Sequence, residues 1–224
     1  MTPGPSQRFR DWTVSQFLGA LASGEPVPGG GTAAALAGAH AAALLHMVLL
    51  LARKRAPDPA PLEPLLERSA AMRHRFVELA EEDAAAYARV AEVLAFPRGT
   101  EEERARRSAL LQEALAHAAQ VPLATAHLAV DALTLASQVL PHCPRSAWSD
   151  LLTAVHLAQA SLSSAVANVD ANALSLGESP LREELARACR DLAAKAGALA
   201  DGVRRPLEGG LSRWRAPREG QEAA

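Results

Sequence analysis

Asp83 is the residue best placed to move a proton. Counting by three and four along a predicted helix, through Phe76, Leu79 and Tyr87, puts its carboxylate on the apolar stripe. Burial raises the pKa of a carboxyl group, so Asp83 could donate a proton to a leaving nitrogen or accept one from an attacking nucleophile. A structural bond from Asp83 to a helix terminus or to an arginine is an equally good explanation.

A glycine-rich loop precedes a long alanine-rich helix. The loop continues from residues 26–28, which are Pro-Val-Pro, into Gly29, Gly30, Gly31 and Thr32. Free N–H groups at the start of a helix bind phosphate or carboxylate groups. The loop has neither the Lys of a Walker motif nor the spacing of a dinucleotide fingerprint. A tight turn that allows close helix packing is the alternative explanation.

Two asparagines form the third candidate group. Asn168 and Asn172 are four residues apart, so they share one face of a predicted helix. They could bind the amide and amine edges of a heterocycle, or bond to neighbouring helices. Asp150 lies at the start of the same helix, where helix capping accounts for it.

The remaining composition argues against other classes of site. Cys143 and Cys189 are far apart and the seven His show no ligand spacing, so we expect no metal. A net charge of -2 and 4% aromatic residues do not favour nucleic-acid binding. Two thiols and an N-terminus unlike a signal peptide predict a cytoplasmic protein.

The chain is predicted to be an all-α, single-domain bundle of long helices with buried alanine-rich central helices. We expect the domain to cover residues 1–210 and a polar, loosely ordered tail to cover 211–224. Pro122 should kink or divide one helix, and Leu94 should face inward on another. The final helix is predicted over about 180–203.

The run from Thr32 to Ala52 contains no charged residue and is followed by Arg53, Lys54 and Arg55. This pattern is also found in membrane anchors. The run is mostly alanine, however, and small residues favour close helix packing. We therefore predict a helix buried at the centre of a bundle or across a subunit interface, and no membrane span.

Together these segments resemble the formiminotetrahydrofolate cyclodeaminase/methenyltetrahydrofolate cyclohydrolase family in content and order. The resemblance covers about residues 12–176. The matching segments are PVPGGGT at 26–32, DAAAY at 83–87, TEEE at 100–103, VPL at 121–123, SD at 149–150 and NVDAN at 168–172.

The resemblance implies a helical homodimer that binds folate without a metal or organic cofactor. Asp83 would be the catalytic acid or base, and the substrate would be bound by Gly29, Gly30, Gly31, Thr32, Tyr87, Asp150, Asn168 and Asn172. The implied reaction converts 5-formiminotetrahydrofolate to 5,10-methenyltetrahydrofolate with release of ammonia. The alternative is hydration of the methenyl carbon to give 10-formyltetrahydrofolate, and the sequence does not separate the two.

Some positions depart from the family pattern. Residues 143–148 lack the expected asparagines, Asp170 stands where an arginine is common, and His46 and Ala52 replace small or hydroxyl residues. A second hypothesis is therefore a non-catalytic dimer that keeps the fold, with or without its folate pocket. A membrane-associated helical protein is the third.

Overall fold

Two threonines begin helices through reciprocal capping bonds. Thr13 Oγ1 accepts from the Gln16 N–H at 3.2 Å, and Gln16 Oε1 accepts from the Thr13 N–H at 2.8 Å. Thr100 and Glu103 repeat this arrangement at 3.1 and 3.0 Å. Each pair satisfies N–H groups that have no acceptor within the helix, which fixes where the helix starts.

The structure, a computed structural model, describes residues 8–212. Within that range there are helices and no strand, so the all-α prediction is confirmed. The helices are α1 (Val14–Leu21), α2 (Gly30–Arg53), α3 (Glu63–Leu94), α4 (Glu101–Val139), α5 (Trp148–Ser175) and α6 (Pro180–Ser212). Residues 213–224 of the predicted tail lie outside the described residues.

Helix α2 packs against both α3 and α5, and α5 packs in turn against α4. Small residues on α2 bring these helices close together. A Cβ built on Gly38 would lie 2.6 Å from Cδ1 of Phe76, a fully buried residue of α3. A side chain longer than glycine therefore cannot fit at this crossing without moving Phe76. Farther along α2, His46 Nδ1 bonds Ser69 Oγ of α3 at 2.8 Å.

Three predictions about helix boundaries and faces need correction. Helix α4 continues through Pro122 instead of dividing there. Helix α6 extends to Ser212, beyond the predicted end, with Pro206 inside it. Leu94, the last residue of α3, is 50% exposed, and the neighbouring Val93 takes the buried position of this turn instead.

Two helices, Gly30–Arg53 and Glu101–His142, are long and apolar enough by composition to cross a membrane. Half of the most apolar window of each helix is buried inside the protein. Core helices of helical bundles have the same composition, so length and hydropathy alone are weak evidence for a membrane span.

Candidate active site

Asp83 of α3 lies at the N-terminus of α2. Its Oδ2 accepts a hydrogen bond from Thr32 Oγ1 at 2.9 Å, and the carboxylate also accepts from the Thr32 backbone N–H. Gly29 is the N-cap residue of α2 and has no side chain with which to cap the helix. Asp83 therefore supplies from α3 the acceptor that a capping residue would normally supply locally.

Burial raises the pKa of Asp83, because the charged form loses water contacts. The two hydrogen bonds from Thr32 oppose this rise, since they favour the ionised carboxylate. Burial is the larger effect, so the carboxyl group holds its proton to higher pH than an exposed Asp does. A carboxyl group with a raised pKa can serve as an acid or as a base near neutral pH.

Glycine at position 31 allows this close approach. A Cβ built on Gly31 would lie 2.6 Å from Asp83 Cγ and 2.8 Å from Oδ2, and still closer to Oδ1. Those separations are shorter than side chains tolerate, so the carboxylate occupies the space that any other residue would fill. Glycine at position 31 thus allows the contact with Asp83. The sequence suggests anion binding or a tight turn with close helix packing for these glycines, but not this contact.

Asn168 of α5 joins the same site from a third helix. A Cβ on Gly30 would lie 3.4 Å from Asn168 Nδ2, so the amide lies over the first turn of α2. Asn168 Nδ2 donates to the Ser164 carbonyl of its own helix at 2.8 Å. This bond orients the side chain and leaves Oδ1 and the second N–H of Nδ2 available to a ligand.

Tyr87 lies one turn after Asp83 on α3, on the same side of the helix. It is 47% exposed. A half-exposed aromatic ring beside a carboxyl group and free N–H donors can contact the flat face of a heterocycle.

Two predicted site residues make their contacts outside this cluster. Asp150 is in the first turn of α5, about 27 Å along the helix from Asn168 at 1.5 Å per residue. Within one chain it is therefore remote from Asp83, and it lies near Cys143. Burial of the Cys143 thiol, together with the smaller effect of the negative charge of Asp150, raises the pKa of that thiol to about 11. Asn172 Nδ2 donates to the Ala118 carbonyl of α4 at 2.7 Å.

Two of the departures from the family pattern also have defined positions. Asp170 is exposed. Burial of the Cys189 thiol on α6 raises its pKa most, and the negative charge of Asp170 raises it further, so Asp170 lies on the α6 side of α5. His46 bonds to Ser69 and links α2 to α3. Neither residue contacts Asp83 through a hydrogen bond in the described part of the chain.

Sequence reasoning identified Asp83, the glycines and Asn168 separately, and the structure brings them together. It did not anticipate that Thr32 would bond Asp83, because the two residues are 51 positions apart and no local pattern links them. It also did not anticipate the Ala118 carbonyl as a partner for Asn172. Across residues 8–212, no cluster of three His, Cys, Asp or Glu residues has the arrangement of a metal site.

Comparisons with known proteins give a consistent result. The family model described as formiminotransferase-cyclodeaminase matches residues 13–191. A methenyltetrahydrofolate cyclohydrolase from Methylorubrum extorquens is 38% identical over 84% of this chain and 91% of its own length. A mouse formimidoyltransferase-cyclodeaminase is 32% identical over 81% of this chain, which spans only 34% of the mouse protein.

A solved structure has the same fold. The crystal structure of formiminotetrahydrofolate cyclodeaminase from Thermotoga maritima matches with a TM-score of 0.80 at 24% identity, covering 90% of this chain and 98% of that one. The family model extends over most of the chain and the Methylorubrum relative aligns over nearly its full length. The chain therefore belongs to the formiminotransferase-cyclodeaminase family.

Proposed function

We propose that this chain is a methenyltetrahydrofolate cyclohydrolase, which adds water to 5,10-methenyltetrahydrofolate to give 10-formyltetrahydrofolate. The observation that carries the proposal is the position of the partly buried Asp83 carboxyl group, which accepts a hydrogen bond from Thr32 Oγ1 at 2.9 Å at the N-terminus of α2. The Methylorubrum relative, which matches over nearly its whole length, favours the hydrolase among the reactions of the family.

In the proposed reaction, the Asp83 carboxylate removes a proton from water as the water oxygen bonds to the methenyl carbon. Asp83 then returns the proton to N5 as the bond between N5 and that carbon breaks, and the remaining hydroxyl proton passes to solvent as the formyl carbonyl forms. The products are 10-formyltetrahydrofolate and one released proton. The substrate carries a positive charge shared between N5 and N10, and a nearby carboxylate stabilises it.

Other groups of the cluster orient the substrate. The N–H groups of Gly29, Gly30 and Gly31 donate to a carbonyl or anionic group of the folate. Asn168 Oδ1 accepts from an amine or amide of the pterin, and Tyr87 contacts its ring. Thr32 holds Asp83 in place. The proposal assigns no metal or organic cofactor to the reaction.

The second candidate is the cyclodeaminase reaction, and the raised pKa of Asp83 favours it. N10 attacks the formimino carbon of 5-formiminotetrahydrofolate, and the bond from that carbon to the exocyclic nitrogen breaks. A protonated Asp83 supplies the proton that lets ammonia leave, and 5,10-methenyltetrahydrofolate forms. A carboxyl group whose pKa is raised by burial keeps its proton to higher pH than an exposed Asp does, which suits this step.

We also propose that the chain acts as a cytoplasmic homodimer. Helix α2 has no charged residue from Thr32 to Ala52, a composition typical of helices enclosed on all sides. Within one chain, however, His40 and Met47 on α2 are exposed, and only half of its most apolar window is buried. A second copy covering this face would enclose α2, and light scattering on the purified protein would give the mass of a dimer.

The two reactions are distinguished by mixing the purified chain with each substrate and following the methenyl absorbance band. The hydrolase makes the band of 5,10-methenyltetrahydrofolate decay faster than in buffer, and the cyclodeaminase makes the band appear from 5-formiminotetrahydrofolate. Catalysis of the second reaction alone would replace the first proposal with the second. Catalysis of neither, with both substrates shown to be intact, would leave the non-catalytic dimer.

A further inference from the structure

Pro122 lies in the middle of α4, which runs without a break from Glu101 to Val139. Proline has no N–H group, so the carbonyl four residues earlier, that of Ala118, receives no hydrogen bond from position 122. Both residues are buried, with Ala118 7% exposed. Since buried carbonyl groups are nearly always hydrogen-bonded, this one requires a donor from elsewhere in the molecule.

Asn172 of α5 is that donor. Its Nδ2 lies 2.7 Å from Ala118 O, although the two residues are 54 positions apart in sequence. The bond connects α4 and α5 at the position where α4 lacks its own donor. One N–H of the Asn172 amide is thus engaged with the backbone of α4.

The bond also bears on the candidate active site, because Asn168 lies one helical turn before Asn172 on α5. Asn168 is the residue whose side chain lies over Gly30 at the start of α2. The packing of α5 against α2 and α4 sets the general position of this helix. The directional bond from Asn172 to a backbone carbonyl of α4 restricts, in addition, the rotation of the turn that carries Asn168.

We propose that Pro122 and Asn172 act together as positioning residues. Pro122 leaves the Ala118 carbonyl free for Asn172, and the resulting bond holds the α5 turn that carries Asn168 at the N-terminus of α2. The effect on turnover rests on the proposed function, whereas the effect on structure does not. The same contact gives a physical role to the Val-Pro-Leu segment at 121–123, which the proposed chemistry does not use.

The test combines two substitutions with three measurements. Asn172→Leu removes the donor at similar volume, and Pro122→Ala supplies a backbone N–H that can bond Ala118 O. Each variant and the double variant are compared with the unaltered chain. The measurements are the denaturant midpoint of unfolding, the NMR signals of the Gly30 amide and the Asn168 side-chain amide, and kcat/KM with methenyltetrahydrofolate. Ala171→Leu, an exposed change in the same turn, is the matched control.

We expect Asn172→Leu to lower the midpoint, displace both NMR signals and reduce kcat/KM at least about tenfold. Adding Pro122→Ala should reverse most of the decrease in the denaturant midpoint, because Ala118 O regains a donor. The two signals should remain displaced and kcat/KM should remain low, because α5 is still unanchored. Ala171→Leu should match the unaltered chain in all three measurements.

Three results would overturn the inference. Restoration of the NMR signals by Pro122→Ala would mean that the bond only satisfies a carbonyl group. Unchanged signals in Asn172→Leu with reduced turnover would mean that Asn172 contacts the substrate directly. An unchanged midpoint with unchanged signals would mean that the bond does not anchor α5. If the unaltered chain has no turnover, the proposed function fails, while the midpoint and the NMR signals still decide the positioning role.

Discussion

Replacing Gly31 with alanine would put a methyl group where the Asp83 carboxylate lies. The added Cβ would be 2.6 Å from Cγ and 2.8 Å from Oδ2. Carbon and oxygen atoms make unstrained contacts at about 3.5 Å, and Oδ1 would be closer still to the added Cβ, so the carboxylate must withdraw by at least about 1 Å. That movement stretches the 2.9 Å bond from Thr32 Oγ1 beyond hydrogen-bond range.

The two consequences differ in size. Losing a hydrogen bond to a charged group costs about 1.5–3 kcal/mol, and alanine in a helix returns about 0.5–1 kcal/mol relative to glycine. We therefore expect Gly31→Ala to lower the free energy of unfolding by about 1–2 kcal/mol. A displacement of about 1 Å at a catalytic group costs about 100-fold in rate, so kcat/KM should fall far more than stability.

Denaturant unfolding and steady-state turnover measure these two effects. Gly202→Ala in α6 is the matched control, because a Cβ there has no atom within 4 Å. It should stabilise the chain by about 0.5–1 kcal/mol and leave turnover unchanged. Gly30→Ala, whose Cβ would be 3.4 Å from Asn168 Nδ2, should cost less stability than Gly31→Ala. If Gly31→Ala keeps stability and turnover near those of the unaltered chain, Asp83 does not occupy the position described.

Three further substitutions test neighbouring contacts. Burial raises the pKa of Asp83 in the folded state. The folded state therefore loses stability as pH rises from the carboxyl pKa of the unfolded chain to that of the folded chain. Asp83→Asn removes the titrating group and with it this loss. Its denaturant midpoint relative to the unaltered chain should therefore increase over that pH interval and then level off; a constant difference would contradict the raised pKa. Thr32→Val removes a bond that favours the carboxylate, so the acid limb of the pH–rate profile should move to higher pH, whereas Thr32→Ser should leave it in place. Gly38→Ala would overlap Phe76 and should lower the free energy of unfolding by about 1–3 kcal/mol with an unchanged denaturant slope; a neutral result would mean that α2 and α3 are less closely packed than described.

Local signals predicted much of the fold. Thr13 and Thr100 were identifiable as helix caps because the capping partner lies three residues away in each case. Asp83 was identifiable as unusual because helical periodicity puts it among apolar residues. These features depend on residues close in sequence, so one sequence is enough to find them.

Contacts between distant residues were not predictable in the same way. Pro122 indicates a break or kink when only its own helix is considered, because nothing nearby replaces the missing N–H. The replacement comes from Asn172, on another helix. The bond from Thr32 to Asp83 likewise depends on how α2 crosses α3. Helix periodicity gives the face of a helix that is buried, but not the residue that faces it.

The most direct test of the account compares Asp83→Asn with the unaltered chain in kcat/KM for methenyltetrahydrofolate, together with the affinity of each for 5-formyltetrahydrofolate as a non-reacting folate. We predict a loss of kcat/KM of at least about 100-fold in Asp83→Asn, with folate affinity and folding retained. Turnover by Asp83→Asn equal to that of the unaltered chain would contradict the assignment of Asp83 as the acid or base.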